Sequence, residues 1–230
     1  MAIGVALLFN IKLPINFNSP YKARDIQDFW RRWHITLSRF LRDYIYIPLG
    51  GNRKGSFRTY TNLLATFVLG GLWHGAGWTF IFWGFLHGMA LAIHRGWQSL
   101  GYKLNPVIAW LITFNFVNIA WIFFRAKEWE DAIKVLKGMF GFSGIMLPQL
   151  LESKLSFIKV YGIKFGNWSQ GIQGDNWTLV WILFYFFVIL SFKNSNSIKI
   201  EKFNFIFYSS LLVMGIYYIY KPSEFLYFNF

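Results

Sequence analysis

The sequence predicts an all-α, multi-pass transmembrane protein with an amphipathic interfacial helix and a broken helix at its candidate site. Three observations carry that expectation. Charge is scarce: of 230 residues, 55% are apolar and only 14% charged, against roughly 25% charged in a water-soluble domain. The apolar residues are gathered into four runs that contain no Asp, Glu, Lys or Arg: Tyr60 to Ala92, Asn105 to Phe124, Trp177 to Phe192 and Phe203 to Tyr220. The net charge of +13 is also local, since ten Lys/Arg against three acids fall between Lys12 and Arg58. Disordered, collagenous and disulfide-rich secreted classes are excluded by this composition.

Each element follows from its own pattern. Met1 to Phe9 (MAIGVALLF) is apolar but too short to span, and it lacks the basic region and cleavage site of a signal peptide. It reads as the end of a transmembrane helix. The chain is therefore expected to be the C-terminal portion of a longer membrane protein, with residues 1–230 forming one domain. Ala23 to Tyr46 is expected to be a single helix. Asp25 and Asp28 sit in its first turns, where acids complement the helix dipole. Trp30, Trp33, Leu37, Phe40, Leu41 and Tyr44 recur at helical spacing, with Arg31, Arg32, Ser38, Arg39 and Arg42 largely on another face. That is the pattern of a basic helix lying in the membrane interface, ended by Pro48 and Gly50-Gly51-Asn52. Basic stretches often bind nucleic acid, but this one is flanked by membrane runs and obeys the positive-inside rule, so it is assigned to the cytoplasmic membrane surface and not to nucleic acid.

The 33-residue run from Tyr60 to Ala92 is too long for one untilted span and too short for two with a loop. Gly70-Gly71, Gly75 and Gly77 bracket Leu72-Trp73-His74, so a helix entering at Asn62 is expected to break near His74 and resume from about Trp78. Asn105 to Phe124 has the length that a spanning helix needs, and the last two runs lie near the short limit. Glu128 to Phe140 reads as a short amphipathic helix with acids at its start. Gly141 to Asn176 reads as a connecting loop with room for a surface helix, and Ser195-Asn196-Ser197 as a short basic loop.

Chemistry points to histidine. Unwound backbone at membrane depth is tolerated only against protein or a water-filled cavity, and a histidine there is a functional candidate by default. His74 meets that description. His34, a titratable group inside the expected interfacial helix, is the second candidate. His87 reads as a hydrogen-bonded packing residue, and His94, beside Arg95 at the end of the run, as interfacial. No cysteine and no His-x-x-x-His spacing supports a metal site, and no nucleophile elbow, P-loop or dinucleotide fingerprint is present.

Asp28 to Gly88 (DFWRRWHITLSRFLRDYIYIPLGGNRKG, then LGGLWHGAGWTFIFWGFLHG) resembles the membrane-bound O-acyltransferases, in the bacterial branch that acetylates alginate or peptidoglycan and includes the D-alanyl-teichoic-acid transferase. Asn16 to Tyr21 (NFNSPY), Trp121 to Ala126 (WIFFRA) and Phe225 to Phe230 (FLYFNF) are similar to that branch as well. The resemblance implies acyl transfer from a thioester, acetyl-CoA or another, to a hydroxyl, with no permanently bound cofactor. It places the family's invariant histidine on His74 and the second histidine of the branch on His34. It further implies that Arg39, Arg42, Arg53 and Lys54 attract the phosphates of coenzyme A or an acidic carrier protein, that the protein sits in the bacterial inner membrane, and that a periplasmic SGNH-type acetyltransferase is its partner. The contrasting expectation is a non-catalytic relative, a scaffold or transporter-like protein whose helix break lines a permeation path.

Overall fold

The computed structural model describes residues 2–166, 177–194, 197, 209–210 and 213. The chain divides into two compact units, Met1–Ser191 and Phe192–Phe230, and the architecture below is that of the first. The expected span Phe203 to Tyr220 and the Ser195-Asn196-Ser197 loop lie almost wholly outside the described residues, and the terminal FLYFNF motif lies entirely outside them.

Glycine decides how the centre folds. Helices α4 (Gly55–His74) and α5 (Trp78–Ser99) form an antiparallel hairpin across Gly75-Ala76-Gly77. A Cβ on Gly71 would lie 2.3 Å from the Phe80 carbonyl oxygen, one on Gly84 2.2 Å from that of Phe67, and one on Gly88 2.9 Å from the Leu64 Cα. The two backbones therefore touch, as small residues permit in membrane helix pairs. The break falls where it was expected, after His74 and before Trp78. Each helix outruns the uncharged stretch, starting at Gly55 and ending at Ser99, which is how that stretch serves two helices of 20 and 22 residues.

The hairpin interior combines small and polar residues with Phe67, Trp83 and Leu91. Its buried positions include Thr59, Asn62, Thr66, Gly70, Gly71, Thr79, Gly84, His87 and Gly88. The hydroxyls of Thr59 and Thr66 donate to the carbonyls of Gly55 and Asn62, four residues back, at 2.8 and 2.7 Å, and Asn62 Nδ2 donates to the Gly51 carbonyl at 2.9 Å. Thr59, Asn62 and Thr66 are thus satisfied by nearby backbone carbonyls, as burial requires.

Helix α6 (Pro106–Arg125) packs on α5. The Asn105 side chain accepts from the Val107 N–H at 2.9 Å, and Pro106 fills the first turn where its missing N–H is harmless. Thr113, Val117, Ala120 and Phe123 face inward, whereas Val107, Ile108, Leu111 and Ile112 are exposed. By length and composition α6 can cross a membrane.

The expected single helix from Ala23 to Tyr46 is broken, and this corrects the sequence reading. After α1 (Ala2–Leu8) and a 3-10 turn at Pro20–Lys22, α2 (Ile26–Arg32) ends at Trp33, whose backbone is extended. His34 follows with φ 40° and ψ 59°, and α3 (Ile35–Leu41) starts in a new direction before a π-helical turn over Arg42–Tyr46. Asp25 caps α2 by accepting from the Asp28 N–H at 2.7 Å.

The short amphipathic helix is present as α7 (Trp129–Met139), opened by a reciprocal capping box between Glu128 and Asp131. In the following segment β1 (Met146–Pro148) pairs in parallel with β2 (Lys164–Gly166), Leu147 opposite Phe165. A small sheet thus interrupts an otherwise helical fold. Between the strands lie α8 (Glu152–Leu155) and two 3-10 turns. The run Trp177 to Phe192 forms α9 (Thr178–Ser191), 14 residues, apolar and exposed along most of its length.

Candidate active site

His74 is the last residue of α4, and three rings surround its imidazole. Trp73 lies 4.9 Å away, Trp83 of α5 5.4 Å, and Phe124 of α6 5.0 Å, all edge to face. The site is therefore assembled by the hairpin and α6 together. Gly75 has no room for a side chain, since a Cβ there would meet the Phe80 ring at 2.7 Å.

His34 sits at the second break, between α2 and α3. That break is fixed from outside. Asn16 accepts the Ile35 N–H through its carbonyl at 2.9 Å, and its side-chain oxygen accepts the Thr36 N–H at 3.0 Å and the Thr36 hydroxyl at 2.6 Å. Asn18 N–H donates to the Arg32 carbonyl at 2.9 Å. The NFNSPY segment is thus a strap across the helix break. His34 Nδ1 is buried and has no hydrogen-bond partner among the described residues, and burial lowers the imidazole pKa below its ordinary value.

A row of rings joins the two histidines. Phe17 lies 6.0 Å from His34 and 4.9 Å from Trp33; Trp33 lies 4.9 Å from Trp121, which lies 5.1 Å from Phe124 against His74. The two residues that the sequence singled out thus stand at the two ends of one row of packed rings.

The other two histidines have structural surroundings, as their sequence context implies. His87 is 1% exposed and accepts at Nδ1 from Trp30 Nε1 at 3.2 Å, among Phe29, Trp30, Trp83 and Phe116. The bond fixes its proton on Nε2. His94 Nε2 lies 3.5 Å from Asp25 Oδ1, which sets the far end of α5 beside the cap of α2 without a hydrogen bond among the described residues.

The four cationic candidates are all exposed. Arg39 lies on α3, and Arg53 and Lys54 lie in the turn before α4. Arg42 pairs with Asp43, Nε to Oδ1 at 2.7 Å and Nη2 to Oδ2 at 3.2 Å. That guanidinium holds the Asp43 carboxyl below the usual carboxylate range. Among the described residues none of the four makes a hydrogen bond or ion pair with either imidazole.

Residue-by-residue reading missed Trp83 and Trp121. Trp83 is 3% exposed, and the indole nitrogens of both are buried without a hydrogen-bond partner among the described residues. Such an orphaned donor costs about 1–3 kcal/mol. Their only sequence signal is membership in the quoted motifs.

A mostly helical chain with exposed apolar surface, one helix able to cross a membrane and two imidazoles at helix breaks has the features of a membrane protein. The chain belongs to the membrane-bound O-acyltransferase family, whose pattern matches residues 1–127 and so takes in His34, His74, Trp83 and Trp121. It is 48% identical over 242 residues to the peptidoglycan O-acetyltransferase of Helicobacter pylori, covering 100% of this chain and 45% of that protein. It is 48% identical over 162 residues to the probable alginate O-acetylase AlgI of Pseudomonas putida, covering 70% of this chain and 33% of that protein. With the teichoic acid D-alanyltransferase of Streptococcus thermophilus it shares 33% identity over 147 residues, 54% of this chain and 35% of that protein. The chain thus spans less than half the length of these relatives.

Proposed function

We propose that the protein carrying this chain transfers an acetyl or other acyl group from a thioester to a hydroxyl, for export to a cell-surface polysaccharide such as alginate or peptidoglycan. The observation that supports this reading is that His34 and His74 each stand at a helix break inside the family-matched region, at the two ends of one row of packed rings. His74 is the general base. An imidazole, with an ordinary pKa of about 6.5, takes the hydroxyl proton as the oxygen attacks the thioester carbon, a contribution of roughly 10² to 10⁴-fold. His34, whose Nδ1 is buried and unpartnered among the described residues, orients the acceptor hydroxyl. The donor is acetyl-CoA or another acyl thioester and acts as a substrate, so no resident cofactor is needed. Arg39, Arg53 and Lys54, with Arg42 engaged by Asp43, draw the donor's phosphates toward the cytoplasmic mouth of the site.

The same reading makes the chain a multi-pass inner-membrane domain, one unit with the rest of a longer fold, its basic Lys12 to Arg58 segment on the cytoplasmic side and a periplasmic SGNH-type acetyltransferase as the partner that receives the acyl group. The test is direct. In the full-length protein, His74→Ala is expected to abolish acyl transfer from acetyl-CoA while expression and membrane insertion are retained. Activity that survives the substitution removes the general-base assignment.

A further inference from the structure

Trp83 and Trp121 hold indole N–H groups that are buried and unpartnered among the described residues. Two other tryptophans of this fold are not in that position: Trp30 Nε1 donates to His87, and Trp110 Nε1 donates to the Tyr21 carbonyl at 2.8 Å. Where ring bulk alone suffices the chain uses Phe, of which it has 27. Buried indole N–H groups ordinarily find an acceptor, so one left open beside a candidate base is a donor waiting for a ligand. Trp83 is the better placed of the two. Its ring meets His74 edge to face at 5.4 Å and also touches Phe124 at 5.0 Å, whereas Trp121 reaches Phe124 and Trp33 but makes no ring contact with His74 among those described.

We propose that the Trp83 indole N–H is the hydrogen-bond donor to the acyl carbonyl oxygen and stabilises the oxyanion formed during transfer. The inference rests on the acyl-transfer reading above and adds a catalytic residue to it. The acceptor oxygen attacks the thioester carbon and a C–O bond forms. The carbonyl π pair moves onto oxygen, where the Trp83 N–H meets it, and the hydroxyl proton passes to His74. Collapse restores the carbonyl and breaks the C–S bond, and the departing thiolate takes the proton from His74, leaving an ester and a free thiol. A donor held rigidly by packing needs no reorganisation as charge develops, which is why removing one such donor costs about 10² to 10³-fold in kcat.

Two measurements on the full-length protein decide it. Trp83→Phe, which keeps a ring and removes only the N–H end, is expected to lower kcat about 10² to 10³-fold with the KM for acetyl-CoA little changed. Trp110→Phe, outside the site, is expected to leave kcat alone. The infrared band of carbonyl-¹³C acetyl-CoA, bound without acceptor, is expected to shift to lower frequency on the parent protein and to lose that shift on Trp83→Phe. A Trp83→Phe enzyme with parental kcat overturns the proposal, and so does a slow one whose bound band keeps the shift. An unshifted band on the parent protein overturns it even where the variant does not fold. Because the band is read without turnover, it is independent of the His74→Ala result that tests the parent reading.

Discussion

Position 34 holds a left-handed backbone that costs a residue with a Cβ roughly 1–2 kcal/mol, and it is held there by Asn16, which accepts the Ile35 and Thr36 amides. His tolerates this conformation better than most side chains. The helical spacing from Ala23 to Tyr46 is plain in the sequence, yet the break within it is not, because the residue that enforces it lies about twenty positions away. His34 is also a proton-linked residue. Burial lowers its imidazole pKa in the folded protein, so the unfolded chain takes up a proton first, near pH 6.5. The unfolded state then binds more protons, and stability falls as pH drops beneath that value. His34→Asn keeps a residue suited to left-handed backbone and removes the titration. Its Tm is expected to fall less than that of the parent between pH 7 and 5, and parallel Tm profiles would refute the linkage.

The α4–α5 hairpin is an element whose existence the glycines announce and whose geometry they hide. The break after His74 is readable because glycines crowd around it. The contacts of Gly71 with Phe80, Gly84 with Phe67 and Gly88 with Leu64 pair residues across the turn, and no local periodicity displays such pairs. The β1–β2 pair was equally hidden, since three-residue strands are too short to establish alternation. The hairpin makes a definite demand. A Cβ at Gly84, 2.2 Å from the Phe67 carbonyl oxygen, must push two backbones apart, and overpacking of this kind costs about 1–3 kcal/mol or more. Gly84→Ala is expected to lower Tm and, by displacing Trp83, activity as well. Gly138→Ala is the contrasting case: open space surrounds that position in the last turn of α7, so the gain in helix propensity is expected to raise stability by about 0.5–1 kcal/mol. Differential scanning fluorimetry on the two variants checks both signs, and a Gly84→Ala protein as stable as the parent would mean that the helices do not touch.

At the scale of the whole molecule, polar side chains share the core with apolar ones, and large apolar side chains cover much of the described exterior. Thr59, Asn62, Thr66, Thr79, His87 and Thr113 are buried, while Leu69, Leu72, Ile93, Leu111 and Ile112 are exposed. Exposed apolar surface on this scale marks contact with lipid or protein, and the scarcity of charge already pointed there. What composition left undecided is how the hairpin meets the membrane. Helix α4 has 20 residues, about 30 Å at 1.5 Å per residue, which matches the hydrocarbon thickness of roughly 30 Å. If the Lys12 to Arg58 segment faces the cytoplasm under the positive-inside rule, the Gly75-Ala76-Gly77 turn emerges on the opposite face. These 230 residues contain no cysteine, and labelling of the parent full-length protein gives the background against which single reporters are read. Ser56→Cys, at the start of α4, and Ala76→Cys, at the turn, both replace exposed residues. With a membrane-impermeant maleimide, Ala76→Cys is expected to react in intact spheroplasts and Ser56→Cys only in inverted vesicles. Labelling of both from the same face would show that the hairpin dips into the bilayer and returns, with the two histidines reached from one side alone.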